Sequence, residues 1–97
     1  MGQSPGRLAD IRSELSAWLA RFADELENIL VFKADRWLEI REREGIKSDK
    51  MADRLWDATP EGKREIQLRS QIKYLERIIS SIRLQLRVKE SESFGNF

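Results

Sequence analysis

Cysteine and histidine are absent from the 97 residues of this chain, and glycine and proline are scarce at five and two. Without cysteine there is no disulfide framework, no thiolate nucleophile and no cysteine-bound zinc. Without histidine, the usual general base near neutral pH and the commonest metal ligand are missing together. No apolar run approaches the 18 residues of a spanning helix, and the N-terminal stretch has no apolar core of a signal peptide. The expectation is a cytoplasmic, non-enzymatic protein with no cofactor, no metal and no membrane contact.

What the chain does have is charge and helix formers. Charged residues make up 36% of it and hydrophobic ones 40%, with a net charge of +1. Such a length supplies one domain with a core of modest size. Glycine and proline fall only near the start, in the middle and at the end, so that nothing between Arg7 and Glu44 or between Lys63 and Phe94 breaks a helix. Ser4-Pro5 and Thr59-Pro60 are one device used twice, a hydroxyl cap followed by a proline whose missing N–H costs nothing in a first turn. Gly45 follows a charged run and precedes Ile46, the pattern of a left-handed glycine stop, and Ser48-Asp49 caps a shorter segment. These marks predict an all-α single domain over 1–97, with helices at about 5–44, 48–58 and 60–92 and a frayed tail at 93–97.

Periodicity then assigns faces. In the first helix Leu8, Ile11, Leu15, Trp18, Leu19, Phe22, Leu26, Ile29, Leu30, Trp37 and Ile40 fall in one stripe roughly 120° wide at 100° per residue. Lys33 points into that stripe, while Val31, Phe32 and Leu38 fall outside it. In the last helix Leu68, Ile72, Leu75, Ile79, Ile82 and Leu86 repeat at 4-3-4-3-4, the spacing of a coiled-coil seam. A continuous first helix would measure roughly 57 Å, too long for a compact globule of this size, whose radius of gyration would be about 12–13 Å. Either the first helix breaks near Asn28 to Lys33 to give a shorter bundle, or the chain is an elongated antiparallel hairpin with a short connecting helix; no residue there is a good breaker, and the hairpin is the expected architecture.

A hairpin buries one stripe per helix, and this chain carries more apolar surface than that. Val31, Phe32 and Leu38 on the first helix and Ile66, Leu84 and Val88 on the last are the candidate partner interface. Met51, Leu55 and Trp56 of the short helix could cover part of it. Exposed apolar surface of that extent marks association, and a homodimer that also binds another protein is the expectation, closed two-fold pairing being the commonest assembly.

Charge is uneven along the chain. Residues 1–30 carry three basic and five acidic side chains, and residues 61–97 carry eight basic and five acidic. Arg69, Lys73, Arg83 and Arg87, with Ser80 between them, line up along roughly 27 Å of the last helix. Two readings compete. Such a stripe can follow a phosphate backbone without reading sequence; or, in an antiparallel hairpin, it can be neutralised by Asp10, Glu14, Asp24, Glu25 and Glu27 of the first helix. The second is expected to dominate. For catalysis, Glu39 and Glu42 form one carboxylate pair with no matching pair on the last helix, and there is no glycine-rich phosphate loop or nucleophile elbow.

The stretches Arg54-Leu55-Trp56-Asp57-Ala58-Thr59-Pro60-Glu61-Gly62, Lys73-Tyr74-Leu75-Glu76-Arg77 and Leu86-Arg87-Val88-Lys89-Glu90 resemble small helical accessory proteins of bacteriophages and prophages. Those proteins lie among DNA-replication and recombination functions. The resemblance covers the second half of the chain and implies a binder of a recombination protein, single-stranded DNA or a host defence complex. It carries over no site residues.

Overall fold

A computed structural model describes the backbone of residues 5–95 and the side chains of 6–91. Its elements are α1 (Pro5–Arg41), α2 (Asp49–Ala58) and α3 (Pro60–Gly95), and the described residues contain no strand. The chain is an elongated antiparallel hairpin of α1 and α3, with a Cα radius of gyration of 20.5 Å. Helix α1 runs unbroken for 37 residues, because neither proline nor glycine interrupts Arg7–Glu44. Among the described residues, no helix is long and apolar enough to cross a membrane.

The boundaries have local causes. Helix α1 stops at Arg41, three residues short of the expected end, because the Arg41 side chain turns onto the connection. Its Nε donates to Asp49 at 2.9 Å and its Nη1 to the Ile46 carbonyl at 2.9 Å. Gly45 takes the left-handed conformation at φ 85 that the turn requires. The Ser48 hydroxyl accepts from Met51 N–H and starts α2.

At the other end of α2, the Thr59 hydroxyl donates to the Trp56 carbonyl at 2.6 Å and accepts from Gly62 N–H at 3.0 Å. That reversal is tight enough for a Cβ at Gly62 to fall 1.9 Å from the Trp56 oxygen. The expected cap at Ser4 lies outside the described residues. Helix α3, expected to end at about 92, continues through Gly95; residues 96 and 97 lie outside the described residues.

Seam residues Leu68, Leu75, Ile79 and Ile82 are buried and Ile72 and Leu86 half-buried. A second cluster forms where α2 folds onto the hairpin: Ile40, Ala52 and Trp56 are buried, with Ile29, Trp37 and Ile46 packed against them. The molecule is thus three helices thick at one end and two at the other. This difference corrects the α1 stripe. Trp18, expected inside it, is 50% exposed, and Leu30 is also exposed. Two crossing helices bury a narrow seam, and only a third helix could cover the edges of a stripe 120° wide; α2 does not reach Trp18.

Candidate interaction surfaces

Helix α3 organises everything outside the core. One residue before each seam position stand Gln67, Gln71, Tyr74, Ile78, Ser81 and Gln85; one residue after stand Arg69, Lys73, Glu76, Ser80, Arg83 and Arg87. A step of 100° in either direction places these two rows on opposite flanks. The first row holds no charge over 19 residues of a chain that is 36% charged. The second row is the basic stripe.

Contacts with α1 fix which broad side of the hairpin each row occupies. On the uncharged side, Arg64 sits one turn before Gln67 and donates to it from Nη1 at 2.7 Å. The same guanidinium reaches across to both carboxylate oxygens of Glu25. The side chain hydrogen bond from Arg64, set against the cost of partial burial, holds the Glu25 carboxyl below its usual range. Trp18 and Phe32 stand seven residues on either side of Glu25, hence on the same flank of α1. Trp18 packs on Phe22 at 5.8 Å between centroids, with Arg21 5.1 Å above its ring. Tyr74, on the facing row of α3, is 65% exposed. The side-chain oxygen of Gln71, in that same row, is buried without a hydrogen-bond partner among the described residues.

On the other side, Leu26 of α1 borders a shallow groove with Arg69, Ile72, Lys73 and Glu76. Here the expected neutralisation by α1 is corrected. Of Asp10, Glu14, Asp24, Glu25 and Glu27, only Glu25 pairs with α3 among the described residues, and its partner Arg64 lies outside the stripe. Arg69 is neutralised from its own helix, through Glu65 at 2.9 Å. Lys73, Arg83 and Arg87 are exposed and make no ion pair among the described residues. The reason is angular: Asp10 and Glu14 project from the flank of α1 that faces away from the stripe.

The candidate apolar interface does not form one patch. All six residues are exposed, but Phe32 lies on the uncharged side, 6.2 Å from the Trp56 ring. Val31 and Leu38 lie along the outer edge of α1. Ile66, Leu84 and Val88 lie along the outer edge of α3, opposite its seam. Met51 and Leu55 also remain exposed on α2, so the short helix covers its own Trp56 and little of these edges.

No protein-family model, curated protein or solved structure matches the chain. The geometry alone therefore has to carry the functional reading. Among the described residues, no group of three or more acidic side chains is placed to hold a metal ion.

One cluster escaped sequence reasoning. Glu65, 7% exposed, accepts from the Trp56 indole N–H at 2.9 Å and pairs with Lys33 at 3.0 Å and Arg69 at 2.9 Å. Lys33 also lies 5.6 Å from the centre of the Trp56 ring. Burial opposes ionisation of Glu65, but hydrogen bonds from Trp56, Arg69 and Lys33 outweigh it and hold the carboxyl below its usual range. Side chains from all three helices meet here, which pins α2 to the hairpin. The available signal was Lys33 inside an apolar stripe, a half-buried cation that called for an acid partner.

Proposed function

We propose that this protein is a non-enzymatic helical interaction module that pairs with a second copy of itself and presents its outer edges to a partner protein. The observation that carries the reading is the broad side on which Trp18, Phe32 and Tyr74 stand exposed beside the uncharged row of α3. Exposed aromatic rings beside a row of neutral polar groups suit a surface covered by protein, since burying them releases apolar area, and Glu14 and Arg21, on the same flank of α1, carry opposite charges that a two-fold contact can set against each other. Two copies related by a two-fold axis would set row against row. The outer-edge residues Ile66, Leu84 and Val88 then stay free for the partner. A setting among phage replication and recombination functions belongs to the same proposal and rests on the resemblance of the second half of the chain.

Sedimentation equilibrium from 1 to 100 µM, roughly the range in which modest interfaces associate, tests the pairing. The chain should sediment as a dimer. Trp18→Glu with Tyr74→Glu should give a monomer with unchanged far-UV circular dichroism, and Leu84→Asp should leave the dimer intact. A wild-type monomer throughout, or a dimer lost only with Leu84→Asp, removes the uncharged side as the contact.

A further inference from the structure

We infer that the opposite, basic side of the hairpin binds nucleic acid through its phosphate backbone, without reading sequence. The argument starts from what fails to neutralise the stripe. Arg69 is committed to Glu65, but Lys73, Arg83 and Arg87 are exposed and make no ion pair among the described residues, and no acid of α1 stands opposite Arg83 and Arg87 on this side. The groove at Leu26 and Ile72 sets the register of the antiparallel pair. Four turns further along, that register brings Arg12 of α1 level with Arg83 and Arg87. Arg12 is half-buried and likewise makes no ion pair among the described residues.

Over this stretch the α1 wall is otherwise Ser16, Ala20 and Ala23, small and neutral. Four cations, Arg12, Lys73, Arg83 and Arg87, stand against three acids, Glu27, Glu76 and Glu90, on that side of the molecule, with Glu27 at the Lys73 end and none from α1 beside Arg83 and Arg87. The shape matters as much as the sum. Lys73 to Arg87 spans about 21 Å of straight helix at 1.5 Å per residue. A duplex presents a phosphate charge about every 1.7 Å of its axis, so cations at both ends of the row can be occupied together. The low wall of alanine and serine lets a bulky sugar–phosphate chain lie beside the row. On this side of the molecule, exposed large apolar residues, which an acidic protein helix would need for docking, are confined to the α2 end, at Leu30.

This inference does not depend on the dimer, because the uncharged side and the basic side are different faces. Fluorescence anisotropy of labelled 30-mer single-stranded and duplex DNA tests it, titrated at 25 to 200 mM salt. The wild-type chain should bind both, with an affinity that falls steeply as salt rises. Lys73→Gln with Arg83→Gln and Arg87→Gln should weaken binding more than tenfold at 25 mM salt and reduce the salt slope by roughly 2 to 3, one unit per lost contact.

The charge-matched control, Lys47→Gln with Lys50→Gln and Arg54→Gln, alters exposed residues of the connection and α2 and should change binding less than twofold. No binding at 25 mM salt, or equal losses in the two triple variants, overturns the proposal. Displacement of DNA by polyglutamate at the same charge concentration assigns the face to acidic protein and overturns it too. Sedimentation of the stripe variant keeps the two proposals distinguishable, since it should match the wild type.

Discussion

Removing the Glu65 carboxylate should unpin α2 from the hairpin. In Glu65→Ala the Trp56 indole N–H, buried with its ring, loses its acceptor, and an unsatisfied buried donor costs about 1–3 kcal/mol. Lys33 loses its counter-ion as well. Breaking a fully buried pair costs about 3–5 kcal/mol, but the Lys33 side chain is 30% exposed and can swing to water, so its share falls at the low end. A combined loss of about 3 kcal/mol follows, which for a domain of this size lowers the melting temperature by roughly 12–24 °C.

Glu65→Gln separates the two terms. It keeps an oxygen for Trp56 and discards the charge, and should cost about 1–2 kcal/mol. The charge term also sets a pH dependence. Because the folded-state pKa of Glu65 lies below its ordinary value, its contribution is complete above the unfolded carboxylate range. It is lost as pH falls through that range and then through the folded value. The stability gap between wild type and Glu65→Gln should therefore be full at pH 7 and should narrow as pH falls below the ordinary carboxylate range, about pH 4. Urea unfolding monitored by circular dichroism at pH 7 and at pH 3 measures both. A cost below about 0.5 kcal/mol for Glu65→Ala at pH 7, the size of an ordinary surface change, would refute the reasoning, as would a gap that persists in acid.

Three further outcomes follow from single positions. Gly62→Ala would gain about 1 kcal/mol by helix propensity alone, but its Cβ would fall 1.9 Å from the Trp56 carbonyl oxygen; thermal unfolding should show a net loss of about 2 kcal/mol. Gly45→Ala places a Cβ at φ 85 in open space, so only backbone strain opposes it, and chemical denaturation should report a loss of about 1–2 kcal/mol. Ile79→Asp puts a charge into the buried seam and should abolish helicity at 25 °C. Val88→Asp, on the exposed outer edge, should leave the melting temperature within a few degrees.

The helices were legible because their stops are local. Prolines, hydroxyl caps and Gly45 act within three or four residues, and the 4-3-4-3-4 repeat of Leu68 to Leu86 is its own evidence for a long antiparallel partner. The end of α1 was misjudged because it depends on Arg41 reaching forward to Ile46 and Asp49, which no local propensity encodes. Trp18 was misjudged because burial depends on how many helices pass nearby, a property of the whole fold. The same holds for charge. Asp10 and Glu14 lie close to the basic end of α3 along the axis, so a map of charge against sequence pairs them with Arg83 and Arg87. Their angle on α1 turns them to the other side, and the stripe is left unneutralised. Axial position was readable from the sequence; the relative rotation of two helices was not.

That rotation is what lets one hairpin keep two faces apart. A surface meant to meet a second copy is served by a row without charge, whereas a surface meant to meet phosphate must keep its cations free. On α3 both requirements are met by the two neighbours of each seam residue: Gln67, Gln71, Tyr74, Ile78, Ser81 and Gln85 on one flank, and mainly basic residues on the other. Because the seam faces α1, those flanks point to opposite broad sides, and pairing through the first would leave the second fully open. A two-fold dimer so formed would carry two basic rows on its two outward faces. For a chain with a net charge of only +1, bulk attraction to a polyanion is weak, and local alignment has to supply the binding. Two rows on one particle raise the effective concentration of the second once the first is engaged. The near-neutral composition and a phosphate-binding face are therefore compatible, provided that the charge is sorted by angle.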